Sequence, residues 1–276
     1  SEELLAAIKG RQVLLVDDNS LNQFVGAELL KGLGMQVDVA SSGAEAIAKV
    51  SARNPQYDAV LMDIQMPGMD GYEATRILRA EPRFAAQLLP IIALTAHALS
   101  GDRERSISQG MNDHITKPID ELNLARTLEH IFAGKQAAAG LSALAKTEAK
   151  APLSELPAKS EEPKARTSIV VDVESALEML GGNRGLYSRI SSLFLSEMPT
   201  YLEQLHLAAE GSDAENGGRV AHTIKGVAAQ VGANPLREAA LALEMAFKHG
   251  DLPAVPGLLK ELEIHARQVQ AFLEKM

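Results

Sequence analysis

The chain has 276 residues, of which 46% are hydrophobic, and its formal net charge is −9 at pH 7. The length suggests about two globular domains. The absence of cysteine excludes disulfides, thiolate zinc sites and a cysteine nucleophile. The negative net charge argues against sequence-independent binding of nucleic acid. No apolar run is long enough to cross a bilayer. We therefore expect no nucleic-acid partner and no membrane insertion by this segment.

Short apolar runs alternate with helix-period segments between residues 11 and 133, which we take as the first domain. The runs VLLV and IIAL are apolar at consecutive positions, as in strands that are covered on both faces. The pattern predicts a five-stranded parallel sheet with helices on both sides. The predicted strands are Val13 to Val16, Gln36 to Ala40, Ala59 to Met62, Ile91 to Leu94 and His114 to Ile115.

The rest of the chain divides into connecting and helical parts. Residues 1–10 are expected to be a connector, and the alanine-, lysine-, glutamate- and proline-rich residues 134–168 a flexible linker. Residues 169–276 lack strand signals and are expected to form an all-α antiparallel four-helix bundle, because short loops separate long helices. The predicted helices are Asp172 to Leu180, Arg184 to Ala209, Asp213 to Val231, Pro235 to His249 and Leu252 to Lys275.

Acidic residues follow two of the predicted strands. Asp17 and Asp18 end the first strand, and Asp63 ends the third. In an open parallel sheet the ligand site lies beyond the carboxyl ends of the strands, near the point where the strand order reverses. We expect the three carboxylates to meet there, and such a cluster calls for a hard divalent ion, Mg²⁺ in particular.

The fourth and fifth strands end at Thr95 and Lys117. A hydroxyl and an ammonium suit phosphoryl oxygens, and with a metal they complete the groups needed to make an aspartyl phosphate. Each of these features is common by itself. Their joint occurrence, in order, at successive strand ends is not expected by chance.

These segments resemble a known family. VLLVDDN, DAVLMDIQMPGMDGYEATRILR, IIALTAHA and ITKPI are similar to the receiver domain of two-component response regulators, in the variety attached to hybrid sensor kinases. The resemblance implies a flavodoxin-like fold with strand order 2-1-3-4-5. It also implies the following roles: Asp63 as phosphoacceptor, Asp18 as a direct ligand of Mg²⁺ or Mn²⁺, Asp17 as a ligand through water, the main-chain carbonyl of Gln65 as a further ligand, and Thr95 and Lys117 as the phosphate-sensing pair.

One position departs from the receiver pattern. Receivers usually carry a tyrosine or phenylalanine three residues before the lysine, and this chain has His114 there. Two interpretations remain open. Either the usual switch between threonine and the aromatic ring is altered, with phosphate transit as the main output, or the imidazole replaces the phenol as a flat packing group.

A histidine in the second domain has a distinctive helical context. In the run RVAHTIKG, Val220, Ile224, Val227 and Val231 form one apolar stripe, whereas His222, Lys225, Gly226 and Ala229 share the opposite face, so the imidazole is expected to point to solvent. The stretch from 171 to 276 resembles the histidine-containing phosphotransfer (HPt) domain. That resemblance implies that His222 is a phosphoacceptor assisted by Lys225, with Gly226 in docking. Arg219 adds positive charge near Lys225, and we expect it to help dock an acidic receiver.

The resemblance implies a phosphorelay rather than a kinase. We find no nucleotide-binding motif, so the chain is expected to carry out phosphotransfer without an ATP-binding core of its own. A sensor histidine kinase would be the donor and a downstream response regulator the acceptor. The chain is expected to be the C-terminal part of a bacterial hybrid sensor kinase, located in the cytoplasm. A phosphate sink that drains a kinase would use the same residues and remains the alternative.

Overall fold

The computed structural model describes residues 8–52, 57–85, 88–96, 100–141 and 170–276. These residues form an α/β domain followed by a helical domain, as the sequence predicts. Residues 1–7 of the expected connector and residues 142–168 of the expected linker lie outside the described ranges.

Five strands form one parallel sheet. Their order is β2-β1-β3-β4-β5, which confirms the predicted topology. The crossover connections run in opposite directions from β1 and β3, so a crevice opens beyond the carboxyl ends of these neighbouring strands. The strands are β1 (Gln12–Val16), β2 (Gln36–Ala40), β3 (Ala59–Asp63), β4 (Ile91–Thr95) and β5 (Asp113–Thr116).

Helices cover both faces of the sheet. Alternate strand residues point to opposite faces, so Leu15 and Leu61 belong to one buried cluster and Leu14 and Val60 to another. The helices of this domain are α1 (Ser20–Gly32), α2 (Gly43–Ala52), α3 (Gly71–Arg79), α4 (Ser100–Ser108) and α5 (Glu121–Leu141). Helix α5 thus extends into the range where the linker was expected to begin.

The second domain is built from four long helices preceded by a short one. Each long helix packs against its neighbours in sequence, and the last packs back against the first, which closes the bundle. The short connections make consecutive helices antiparallel. The helices are α6 (Val173–Met179), α7 (Arg184–Glu210), α8 (Ala214–Gln230), α9 (Asn234–His249) and α10 (Val255–Leu273).

Local chemistry sets the ends of these helices. The side chains of Asp172, Asn183 and Asp213 each accept a hydrogen bond from a backbone N–H in the first turn of the helix that follows. These caps satisfy donors that a helix cannot pair internally. Gly250 ends α9 in the left-handed region, with φ of 72°, where a residue without a Cβ is favoured.

The two domains contact each other directly. Helix α1 of the α/β domain packs against α7 and α8 of the bundle. Because α1 begins directly after the acidic end of β1, this packing brings the crevice of the sheet to the side of the bundle that carries His222. Within the described residues, no helix combines the length and apolar character that a membrane span needs.

Gly217 lies against the buried ring of Phe247, so a substitution there tests the packing inside the bundle. A Cβ on Gly217 would lie 2.5–2.7 Å from ring carbons of the buried Phe247, whereas a Cβ on the adjacent Gly218 would lie 3.6 Å from Phe247 Cβ, an ordinary contact. We expect Gly217→Ala to lower the free energy of unfolding by about 1–3 kcal/mol through overpacking.

The matched control is Gly218→Ala in the same helix. It should leave the free energy of unfolding unchanged or raise it by up to about 1 kcal/mol, because alanine is the better helix former. Urea unfolding followed by circular dichroism measures both. Equal effects of the two substitutions would contradict this description of the core.

Candidate functional site

Three carboxylates meet at the carboxyl ends of β1 and β3. One oxygen from each of Asp17, Asp18 and Asp63 lies within 4.8 Å of the others. Asp17 and Asp63 are almost fully buried, with 1% and 3% of their surface exposed. The sequence placed these residues at the ends of neighbouring strands, and the structure brings them together as expected.

Lys117, which directly follows β5, holds two of these acids. Its Nζ lies 2.6 Å from Asp17 Oδ2 and 2.7 Å from Asp63 Oδ2. Burial opposes a charged ammonium, but the two carboxylates outweigh it and raise the pKa of Lys117 above its ordinary value. Burial also raises the pKa of Asp63, with Lys117 acting in the opposite direction. The lysine is therefore a fixed positive charge in this pocket.

The pocket fits a hard divalent cation. When all three carboxylates are ionised, they and one ammonium carry two negative charges, which one divalent ion would neutralise, and carboxylate oxygens are the ligands that Mg²⁺ prefers. Burial, followed by the charge of Asp17, raises the pKa of Asp18. Gln65 lies close by, and its backbone N–H donates to Asp63 Oδ1 at 3.2 Å.

Thr95 and His114 lie on neighbouring strands. Thr95 is 6% exposed at the end of β4, and its carbonyl accepts a hydrogen bond from the Lys117 backbone N–H at 2.7 Å. In the register of β4 and β5, Thr95 is opposite Thr116 and Ala93 is opposite His114. Because side chains alternate between the faces of a sheet, Thr95 and His114 lie on the same face, offset by two residues along the strands. His114 Nδ1 is buried without a hydrogen-bond partner, 3.6 Å from Asp113 Oδ1.

A second cluster lies on α8 and α9. His222 Nδ1 is 2.8 Å from Glu244 Oε1, and Lys225 Nζ is 2.5 Å from Glu244 Oε2. Burial alone would raise the pKa of Glu244, but its hydrogen bonds and charge interactions with His222 and Lys225 lower that pKa to about 2. Glu244 is thus an ionised acceptor held between two functional groups.

These contacts determine which ring nitrogen of His222 is free. Lys225 Nζ also lies 3.2 Å from Nδ1, but two donors cannot share this contact, and the ammonium has a closer acceptor in Glu244. Nδ1 therefore carries the proton and donates a hydrogen bond to Glu244. Nε2 then keeps its lone pair, and it is the nitrogen that can attack a phosphoryl group.

Sequence analysis did not identify Glu244. A signal was present, because Ala240, Leu243, Glu244 and Phe247 have the spacing of a buried helical face on which one acid stands among apolar residues. A buried acid at such a position needs a charged or hydrogen-bonding partner. His222 and Lys225, on the neighbouring helix α8, are those partners.

The two clusters face each other. A cavity of about 320 Å³ is lined by Asp18, Gln65 and Met66 from the sheet domain and by Arg219 and His222 from the bundle. A second cavity, of about 300 Å³, is lined by Lys117, Pro118 and Asn22 on one side and by His222, Lys225 and Gly226 on the other. The His222 imidazole is therefore a wall shared by both cavities, next to the groups that surround Asp63.

This arrangement corrects one prediction from the sequence. The imidazole of His222 was expected to point to solvent, but its side chain is only 18% exposed. Ala229, expected on the same open face, is 7% exposed. The face does point away from the core of the bundle. It is covered because Glu244 and the sheet domain lie over it.

Polar contacts connect the two domains around the clusters. On the bundle side we define the docking face as Arg189, Glu197 and Tyr201 of α7 and Gln230 of α8. Asn19 Nδ2 donates to Tyr201 Oη at 2.8 Å, Ser20 Oγ to Glu197 Oε1 at 2.6 Å, and Gln230 Nε2 to Asn22 Oδ1 at 2.9 Å.

Two residues singled out from the sequence lie beside the docking face. Arg219 Nη1 lies 3.8 Å from Asp18 Oδ2, so this cation reaches towards the acidic pocket. A Cβ on Gly226 would meet only Asn22 Oδ1, at 3.9 Å. The glycine therefore adds no side chain where α1 approaches His222.

Glu244 makes the bundle sensitive to acid. Its pKa of about 2 in the folded chain lies below its ordinary value of 4.5, so unfolding takes up a proton when the pH falls between these values. Its contribution to stability is complete above about pH 4.5 and disappears as the pH falls towards 2.

Replacing Glu244 by glutamine should therefore flatten the acid side of the stability profile. We expect Glu244→Gln to lose less stability than the wild type between neutral pH and about pH 3 in urea unfolding. The exposed Glu238, on the same helix, serves as the control, and Glu238→Gln should follow the wild type. Parallel profiles for Glu244→Gln and wild type would contradict the assigned role of this acid.

Comparison with known proteins is consistent with two clusters in two domains. The model of the response regulator receiver domain matches residues 13–129, and the model of the Hpt domain matches residues 189–272. The sensor histidine kinase GacS of Pseudomonas protegens is 29% identical over 93% of the chain. The signal transduction histidine-protein kinase BarA of Escherichia coli is 27% identical over 95% of it. The chain spans only about a quarter of the length of these curated relatives, 26% and 27% respectively.

A solved structure matches the first domain alone. It is the receiver domain of a sensor histidine kinase from Pseudomonas aeruginosa, with a magnesium ion coordinated in its active-site cleft. It is 42% identical and covers 45% of this chain and 98% of its own, with a TM-score of 0.41. With both family models matched in order along the sequence, the chain belongs to the two-component phosphorelay proteins, as a response regulator receiver domain followed by an Hpt domain.

Proposed function

We propose that the receiver domain accepts a phosphoryl group on Asp63 from the phosphohistidine of a sensor histidine kinase. Asp63 then passes it to His222 of the same chain, and His222 delivers it to the receiver of a downstream response regulator. One observation carries the proposal: the imidazole of His222 is the wall shared by two cavities, whose opposite walls are receiver residues around Asp63.

The internal step exchanges one bond for another. The Oδ–P bond of phosphorylated Asp63 breaks, and its electron pair returns to the carboxylate, while the Nε2 lone pair of His222 forms the new N–P bond. Transfer of this kind is in line and largely dissociative, so the protein contributes positioning and charge neutralisation. Lys117, already bound to Asp63, stabilises the departing carboxylate.

Glu244 and Lys225 prepare the histidine for this step. The imidazole ring gains positive charge when Nε2 is phosphorylated, because Nδ1 keeps its proton. Glu244 accepts that proton in a hydrogen bond and offsets the charge. Lys225 is held by the same carboxylate beside the ring, where its ammonium is close to the incoming phosphoryl oxygens.

A metal ion would be held by the acidic pocket. We propose Mg²⁺ as the ion, with Asp17, Asp18, Asp63 and the main-chain carbonyl of Gln65 as the protein groups that hold it. When bound, it neutralises negative charge between the carboxylates and the phosphoryl oxygens. The clustering of three carboxylates around a single ammonium supports this assignment.

Thr95 is proposed to donate to the phosphoryl group once it is attached to Asp63. Its position at the carboxyl end of β4, beside Lys117, supports this role. His114 lies on the same face of the sheet, and Nδ1 of its imidazole makes no hydrogen bond with the described residues. Both interpretations of this histidine, an altered switch and a flat packing group, are consistent with that position.

The wider context follows from the relatives. Similarity to GacS and BarA over almost the whole chain supports a receiver and Hpt pair that works within a bacterial hybrid sensor kinase, on its cytoplasmic side. A phosphate sink would use the same residues, so the lifetime of phosphorylated Asp63 and the direction of transfer distinguish it from a relay. The Hpt match and the facing arrangement of the two sites support a relay as the proposed function.

Phosphate tracing tests the relay. The chain is incubated with Mg²⁺ and labelled acetyl phosphate, a small acyl-phosphate donor, and the label is then challenged with base, which removes phosphoaspartate but spares phosphohistidine. We expect base-resistant label on the wild type and none on Asp63→Asn or His222→Gln.

The control for this experiment is His206→Gln. His206 lies on α7 and pairs with Glu263, away from the receiver, so the variant should label like the wild type. Label on the wild type that is entirely base-labile and decays to free phosphate would contradict the relay and support the sink.

The metal assignment has a separate test. Asp18→Asn removes one of three anionic groups from the pocket, and we expect it to weaken Mg²⁺ binding by at least about tenfold in titration calorimetry, since even groups that only orient ligands have effects of that size. Asp70→Asn is the matched control, because Asp70 caps α3 and asparagine caps helices equally well. Equal Mg²⁺ affinity in both variants would argue against the site.

A further inference from the structure

We infer that Gln230 of the bundle is a positioning residue for the metal pocket of the receiver. Its side-chain amide fixes the amide of Asn22, and Asn22 in turn orients Asp17, so that the bundle raises the affinity of the pocket for its divalent ion. The inference deepens the proposed function and rests on it, because it concerns the ion assigned to Asp17.

Asp17 depends on three donors for its orientation. Its side chain is almost fully buried, and Oδ2 accepts a hydrogen bond from Lys117 Nζ at 2.6 Å. Oδ1 accepts one from the backbone N–H of Asn19 at 3.0 Å and another from Asn22 Nδ2 at 3.1 Å. Asn22 is only partly buried on α1, so its amide needs a partner of its own to keep one orientation.

The bond from the bundle decides which way the Asn22 amide faces. A carboxylate only accepts hydrogen bonds, so the amide nitrogen of Asn22 must face Asp17 and the amide oxygen must face away. Gln230 Nε2 donates to that oxygen at 2.9 Å. If the Asn22 amide were turned over, oxygen would meet oxygen at Asp17 and nitrogen would meet nitrogen at Gln230. The two bonds therefore support each other.

The placement of Gln230 is not explained by the stability of the bundle. The side chain is 7% exposed at the end of α8, and Oε1 is buried without a hydrogen-bond partner among the described residues. A buried acceptor of this kind lowers the free energy of unfolding. Its Nε2, however, donates across to the receiver domain. The residue thus serves the contact with Asn22 at a cost to its own surroundings.

The docking of the two domains does not depend on this single hydrogen bond. Leu21 and Val25 of α1 belong to the same buried apolar cluster as Phe194 of α7, and other hydrogen bonds also join α1 to α7. Burial of apolar surface contributes to such contacts in proportion to its area. Loss of the Gln230 bond should therefore leave the domains docked and remove the orientation of Asn22.

The first test is Gln230→Met, which keeps the length of the side chain and removes both polar atoms. We expect it to weaken Mg²⁺ binding to the full chain by about fivefold in titration calorimetry, a coupling at the lower end of those between linked sites. The free energy of unfolding in urea should stay the same or rise, because a buried oxygen without a partner is removed. Gln268→Met, at an exposed position on α10, is the matched control and should equal the wild type in both measurements.

A double-mutant cycle shows whether Gln230 acts through Asn22. Asn22→Ala removes the donor to Asp17 itself, and we expect Mg²⁺ affinity to fall by about tenfold, as for other groups that orient a ligand. Adding Gln230→Met to Asn22→Ala should cause no further loss, because the amide that Gln230 holds is gone. Additive losses in the double variant would contradict the inference.

The rate of internal loading separates positioning from docking. Base-resistant label on His222 is followed over time at increasing Mg²⁺ concentrations. Gln230→Met should need about fivefold more Mg²⁺ for half-maximal rate and should reach the wild-type rate at saturation. A defect that persists at saturating Mg²⁺ would mean that Gln230 serves docking, and would overturn the inference.

These outcomes also distinguish the inference from the proposed function. If the wild type binds Mg²⁺ and loads His222 while Gln230→Met binds Mg²⁺ equally well, the inference fails and the proposed function stands. A wild type that does not bind Mg²⁺ would overturn both the metal assignment and the inference.

Discussion

One ammonium group holds the receiver pocket together. Lys117, at the end of β5, contacts Asp17 from β1 and Asp63 from β3, so it ties three strands of the sheet at their carboxyl ends. Buried carboxylates are tolerated only when they are paired and hydrogen-bonded. A single ammonium cannot neutralise three acids. The same constraint that shapes the pocket therefore leaves it with the negative charge that a divalent cation and phosphoryl chemistry require.

The bundle also buries a charged cluster, but in that cluster one acid is held by two nitrogen-containing side chains. Glu244 is a single buried acid held by two partners, His222 and Lys225, and this arrangement keeps it ionised. With Arg219 nearby, the cluster has an excess of positive charge, which faces the excess of negative charge in the receiver. Complementary charges of this kind orient two surfaces and select the partner more than they add affinity. The positive charge of the bundle site and the negative charge of the receiver pocket are thus complementary.

The interface between the domains combines polar and apolar contacts. Its best hydrogen bonds are clustered at the start of α1, next to the metal pocket, where Asn19 and Ser20 meet Tyr201 and Glu197. Farther along the helix, Arg189 pairs with Glu28 and lies over the Phe24 ring. Apolar residues of both domains also belong to one buried cluster, so burial of apolar surface contributes to the contact.

Much of this protein is readable from its sequence because the signals are local. Consecutive apolar runs identify the parallel strands, their ends locate Asp17, Asp18, Asp63, Thr95 and Lys117, and glycines and caps bound the helices of the bundle to within a few residues. The tertiary structure alone decided that Glu244 lies against His222, that Tyr201 meets Asn19, and that the imidazole is covered. Helical periodicity indicates which face of a helix points away from the core of its own domain. What comes to lie over that face is set by residues far away in the chain, and only packing brings them there.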